Sequence, residues 1–71
     1  MIEPGDVVKY IGCSKEQIMW GGNDDPAKSS LVVGHEYIVG DVKVHSQHTK
    51  ITVLNKSGRF NSVCFKKVSS G

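Results

Sequence analysis

The chain has 71 residues, 38% hydrophobic and 23% charged, and its nine Lys and Arg against seven Asp and Glu leave a net charge of +2. Such a length fits one small domain with a thin core, and the composition argues against global disorder. No apolar run approaches the roughly 20 residues of a membrane span, and "MIEPGD" lacks a signal peptide's basic and apolar regions. A cytosolic location is therefore expected, with Cys13 and Cys64 as free thiols; a disulfide between them is the alternative. Strong non-specific binders of duplex DNA make roughly 6–10 phosphate contacts. Here the cations are scattered, with only Lys66 and Lys67 adjacent, so long nucleic acid is not an expected partner.

Along the chain, "EPGDVVKYIG" opens with a Pro-Gly turn and a strand over Asp6–Ile11, with Val8 and Tyr10 on one face. Residues 12–33 keep neither a helical nor a strand period. Within them "SKEQIMW" predicts a helical turn capped by Ser14, with Gln17 at the capping-box position and Gly21-Gly22 as the stop. "DDP" reads as a turn, because Pro26 biases Asp25 towards extended geometry. Gly34 then turns into a long strand, Glu36–Val44, in which Gly40 marks a bulge or sharp bend. In "KITVLNKSGRFNSV" two β-rich runs flank a hairpin turn at Asn55–Gly58. "CFKKV" supplies the last strand, and residues 69–71 form a frayed tail.

These elements predict an all-β fold: a single domain over residues 1–68, a small, SH3-like, strongly bent five-stranded antiparallel barrel with a long loop between strands 1 and 2. The expected core is Val8, Tyr10, Ile38, Val42, Ile51, Val53, Phe60 and Val63. The inward face of the long strand depends on the bulge at Gly40, which would swap it.

The loop far exceeds the usual connection of about 4–6 residues. Ordering it costs about 1–2 kcal/mol per residue, whereas burying Trp20 returns only about 4–6 kcal/mol. A ligand, a second subunit or Asx turns must help. Trp20 has two readings: a core staple at one barrel end, or a stacking platform under a base, worth about 1–3 kcal/mol. Gly21 and Gly22 allow backbone amides to approach an anion, and Asn23, Asp24 and Asp25 offer groups for ribose hydroxyls. In "VHSQHTK", His45, His48 and Lys50 form either a solvated turn or a polar rim for an anion. Arg59 and Asn61 alternate with Phe60 and should point away from the core, Arg59 suited to fork onto a phosphate. A metal set of His45, His48 and a cysteine lacks any recognised ligand spacing, and a Cys-His pair lacks a group to orient it. Neither metal, cofactor nor enzymatic activity is therefore expected.

The succession "WGGNDDP", "L-x-x-G-x-x-Y-x-V", "VHSQHTK" and "FNSVCF" resembles short phage-encoded proteins of the same length, over about Val7 to Phe65. The polar blocks are the specific part; "GDVVKY" and "VGHEYIV" are generic to SH3-like barrels. The group is similar to phage sponge proteins, which sequester the nucleotide signals of bacterial anti-phage defence. The resemblance implies a non-enzymatic binding protein in the cytoplasm of an infected bacterium, taking an ADP-ribose-related or cyclic nucleotide, and it assigns no individual site residue. Nanomolar capture needs about −12 kcal/mol. A chain this short reaches that with an enclosed pocket walled by two subunits, so a homodimer or higher oligomer is expected. The alternative is a KOW- or SH3-like interaction module gripping a host protein or nucleic acid through the long loop.

Overall fold

A computed structural model describes residues 2–19, 22–46 and 48–70. Its strands are β1 (Val7–Tyr10), β2 (Glu36–Val44), β3 (Thr49–Val53), β4 (Phe60–Asn61) and β5 (Phe65–Ser69). They form one five-stranded sheet in the order β4-β3-β2-β1-β5, every pair antiparallel. The all-β, five-strand expectation holds. The sheet is open, however, with β4 and β5 at opposite edges. β4 ends after two residues because Asn61 caps a 3-10 turn, Ser62–Cys64, its side chain accepting from Val63 N–H at 3.2 Å. That turn carries the chain from one edge strand to the other.

Period-2 alternation builds the core. Val8 and Tyr10 from β1, Ile51 and Val53 from β3, and Phe60 are buried as expected, joined by Val39, Leu31, Cys64 and Phe65. Two expectations fail. Ile38 is 46% exposed and Val63 53% exposed. In β2 the register shifts between Val39 and Val42. The bulge therefore changes which parity faces inward, so Val39 is buried before it and Val42 is half-buried after it. Gly40 is required there. A Cβ on it would lie 2.8 Å from Thr52 Oγ1, which accepts the Asp41 N–H left without a ladder partner (2.9 Å). Val63 is turned outward by the 3-10 geometry, which breaks the strand alternation assumed for it.

The described residues of the long connection, Ile11 to His35, are tied down at several points. α1 (Lys15–Met19) is capped as predicted: Gln17 N–H donates to Ser14 Oγ (3.1 Å) and Ser14 N–H to Gln17 Oε1 (2.9 Å). A second 3-10 turn, Pro26–Ser29, follows and buries Pro26, with Leu31 next to it in the core. The free-thiol expectation is overturned: Cys13 and Cys64 form a disulfide. The alternative reading, a disulfide, is the one that forms; sequence patterning ranks it second because the partners are 51 residues apart and meet only once the loop folds back onto the 3-10 turn. No helix among the described residues is long and apolar enough to cross a membrane.

Closing a loop of that length stabilises the fold by about 4 kcal/mol in the chain-entropy account. A Cys13→Ser/Cys64→Ser variant should therefore melt at least about 10 °C below the parent in non-reducing buffer. Circular dichroism melts with and without reductant check this, and the variant alone should be insensitive to reductant.

Candidate functional site

The hairpin joining β2 to β3 sets the chemistry of one surface. Its register pairs Val42 with Ile51, Lys43 with Lys50 and Val44 with Thr49. His45 N–H donates to His48 C=O at 2.8 Å, closing the turn. The string "KVHSQHTK" is thus folded about its own middle, and lysine faces lysine. Like charges directly opposite each other destabilise a sheet.

A third cation joins them. Ile51 and Phe60 are paired and buried, so by alternation Lys50, Thr52 and Arg59 share the outer face with Lys43. Together with Asp41 and the edge of Ile51 they line a depression of about 50 Å³. That volume exceeds one water's share of the liquid, about 30 Å³. It suits a single tetrahedral anion and is too small for a nucleobase. Three cations against one carboxylate leave an excess of positive charge at its walls.

Arg59 is held from the loop side. Its N–H donates to Asp24 Oδ2 (2.9 Å), and Asp24 N–H donates to Arg59 C=O (2.9 Å). Gly58 makes this approach possible: it sits at φ +115°, and a Cβ there would lie 3.2 Å from Asp24 Oδ2 and 3.1 Å from the Phe60 ring.

Two rungs beyond the lysines, past the Val44–Thr49 pair, His45 and His48 stack with ring centroids 4.8 Å apart and planes 23° from parallel. Both His48 ring nitrogens are shielded from solvent and have no hydrogen-bond partner among the described residues. Loss of hydration holds the His48 pKa below its usual value, with further lowering from His45 and Lys50. The imidazole is thus an uncharged flat plate at neutral pH, beside a cationic hollow.

The other expected site residues divide. Trp20 and Gly21 lie outside the described residues. Gly22, at φ +72°, donates its N–H to Met19 C=O (3.1 Å), ending α1 rather than facing a ligand. Asn23 is buried, its N–H on Ile18 C=O (2.9 Å) and its Nδ2 on Gln17 C=O (3.2 Å). Asn61 Nδ2 donates to the same carbonyl (3.2 Å), and Asn61 is 3% exposed rather than facing outward. Asp25 is half-buried near Tyr10, whose pKa is raised first by burial and then by that carboxylate. The structure therefore brings together Lys50 with Arg59 and His45 with His48, and it uses Asn23, Asp24 and Asn61 as internal fasteners. Lys43 was missed, although its place seven residues before Lys50, symmetric about a four-residue turn, was the available signal. The His-Cys sets weighed for metal or catalysis are not assembled, since both cysteines are bonded to each other.

Comparison with protein-family models, curated proteins and solved structures returned no match to this chain.

The His48 shift carries a sign. Its folded pKa lies below the unfolded value of about 6.5, so the unfolded chain binds more protons in the window between them. Its contribution to stability is complete above about pH 6.5 and declines as pH falls towards the folded pKa. An NMR titration of the imidazole Hε1 signals should place the His48 midpoint below its usual value, and Lys50→Gln should move it upward. A midpoint at or above about 6.5 would contradict the arrangement.

Proposed function

We propose that this chain is a non-enzymatic binding protein that captures a small nucleotide signal, seating a phosphate in the depression walled by Lys43, Lys50 and Arg59. The observation that carries the reading is the lysine-on-lysine pair with Arg59 beside it. A bound phosphate relieves a repulsion that the folded sheet otherwise sustains. The neighbouring imidazole pair offers a face for the base, since histidine is among the side chains on which bases stack. The disulfide occupies both thiols, which leaves no Cys-His nucleophile and supports a binding role. The resemblance to phage sponge proteins adds the expected ligand class, ADP-ribose-related or cyclic nucleotides, whereas the Cys13–Cys64 disulfide counts against a reducing cytosol as the setting. The five antiparallel strands and the sharp bulge in β2 support the SH3-like reading of the fold, although the sheet does not close into a barrel.

Each charge-assisted hydrogen bond to the phosphate is worth about 1.5–3 kcal/mol, or roughly 10- to 150-fold in affinity. Lys50→Gln should therefore lose affinity by about that factor. The same change should leave the unliganded melting temperature unchanged or slightly raised, because it removes one of two opposed charges. A thermal-shift panel of nucleotides with the matching nucleosides, followed by calorimetry on the hits, checks both effects. Nucleotides should stabilise the protein and nucleosides should not. A panel with no stabilising nucleotide would sink the reading and favour an interaction module. Nucleotide binding that survives both Lys43→Gln and Lys50→Gln would remove the site.

A further inference from the structure

Among the described residues several large hydrophobic side chains are exposed, including Ile38 (46%) and Leu54 (52%). Some of these sit singly, which is ordinary for a protein surface. Ile38 and Leu54 do not. With Val7 and Tyr37 they line a groove of about 500 Å³, ten times the volume of the cationic depression.

The groove follows from the strand register. Val7 pairs with Ile38 across β1 and β2, so the two project together from the outer face. Leu54 N–H donates to Ile38 C=O (2.9 Å), which lays the turn after β3 alongside them. The left-handed backbone at Asn55 (φ 68°) then reverses the chain and brings Lys56 onto the rim. Tyr37 is fixed at the phenol, which accepts Val32 N–H at 2.8 Å. The walls are thus held by backbone and ring contacts rather than by free side chains.

The charges on the rim identify the occupant. Glu36 and Lys56 both line the groove. Lys9 lies opposite Glu36 on β1, yet no ion pair closes between them. A surface carrying one acid, one base and an apolar floor is complementary to itself. In a two-fold contact, residue i of one copy meets residue j of the other and j meets i, so one pairing occurs twice. We propose that two copies of this chain associate face to face through the Val7–Ile38–Leu54 groove, with Glu36 of each copy opposite Lys56 of the other. The contact covers an exposed apolar floor without burying an unpaired charge, the condition a stable interface must meet. It stands independently of the nucleotide reading, because none of its residues lines the cationic depression.

Sedimentation velocity from low micromolar to sub-millimolar concentration tests it, with heteronuclear NMR spectra confirming that each variant is folded. The parent should sediment as a dimer at the upper end of the range. Leu54→Asp should shift it to monomer. Glu36→Lys and Lys56→Glu should each weaken the dimer by about tenfold or more, since every substitution is present twice. The double exchange, Glu36→Lys with Lys56→Glu, should restore dimerisation to within a few-fold of the parent. A parent that stays monomeric throughout would overturn the proposal. So would a dimer indifferent to Leu54→Asp, or single charge reversals that the double exchange fails to rescue.

Discussion

A long connection is held against the sheet by fasteners that converge on one short segment, Arg59 to Cys64. The Cys13–Cys64 disulfide fixes the start of the connection to the end of that segment. The Gln17 carbonyl accepts from both Asn23 and Asn61, binding the helical turn, the middle of the connection and β4 at a single oxygen. Asp24 closes a two-hydrogen-bond clip on Arg59. Ordering so many residues costs about 1–2 kcal/mol each in backbone entropy, and no single aromatic residue offsets that. Cross-links of high sequence separation, with Pro26 and Leu31 in the core, do so together. The arrangement also explains how a strand of two residues persists: β4 is braced from the loop side as well as by β3.

The candidate site inherits its geometry from this constraint. Arg59 belongs to the clipped segment, so the position of the third cation beside the Lys43–Lys50 pair is set by Asp24 and by the close approach that Gly58 permits. The lysine pair itself comes from hairpin register. Opposed like charges cost stability in a domain that has little to spare. Local choices that conflict with stability tend to mark functional positions. The stacked imidazoles of His45 and His48 beyond this hollow provide a flat surface, and loss of hydration holds the His48 pKa below its usual value.

Much of the fold was legible. The limits of β2, the capped turn at Ser14–Gln17, the bend at Gly40 and the hairpin after Val53 all rest on local chemistry that a short window of sequence contains. Contacts between distant segments were not. The disulfide, the burial of Leu31 and Pro26 and the role of Asn61 as a donor to Gln17 depend on how the connection folds back, for which no short-range pattern exists. The same blindness affected the site. Asn23, Asp24 and Asn61 have the side chains a ribose would need, but identical groups satisfy backbone amides and carbonyls, and here they do. Lys43 was overlooked because its meaning lies in its partner across the turn.

The account turns on whether an anionic ligand meets the protein at Lys43, Lys50 and Arg59. An amide chemical-shift titration of the isotopically labelled protein with a nucleotide that stabilises it addresses this directly. The largest changes should fall on Lys43, Lys50, Thr52 and Arg59, with Asp24 following because its amide is bonded to Arg59. Changes centred instead on Tyr37, Ile38 and Leu54, with the hairpin lysines unmoved, would contradict it.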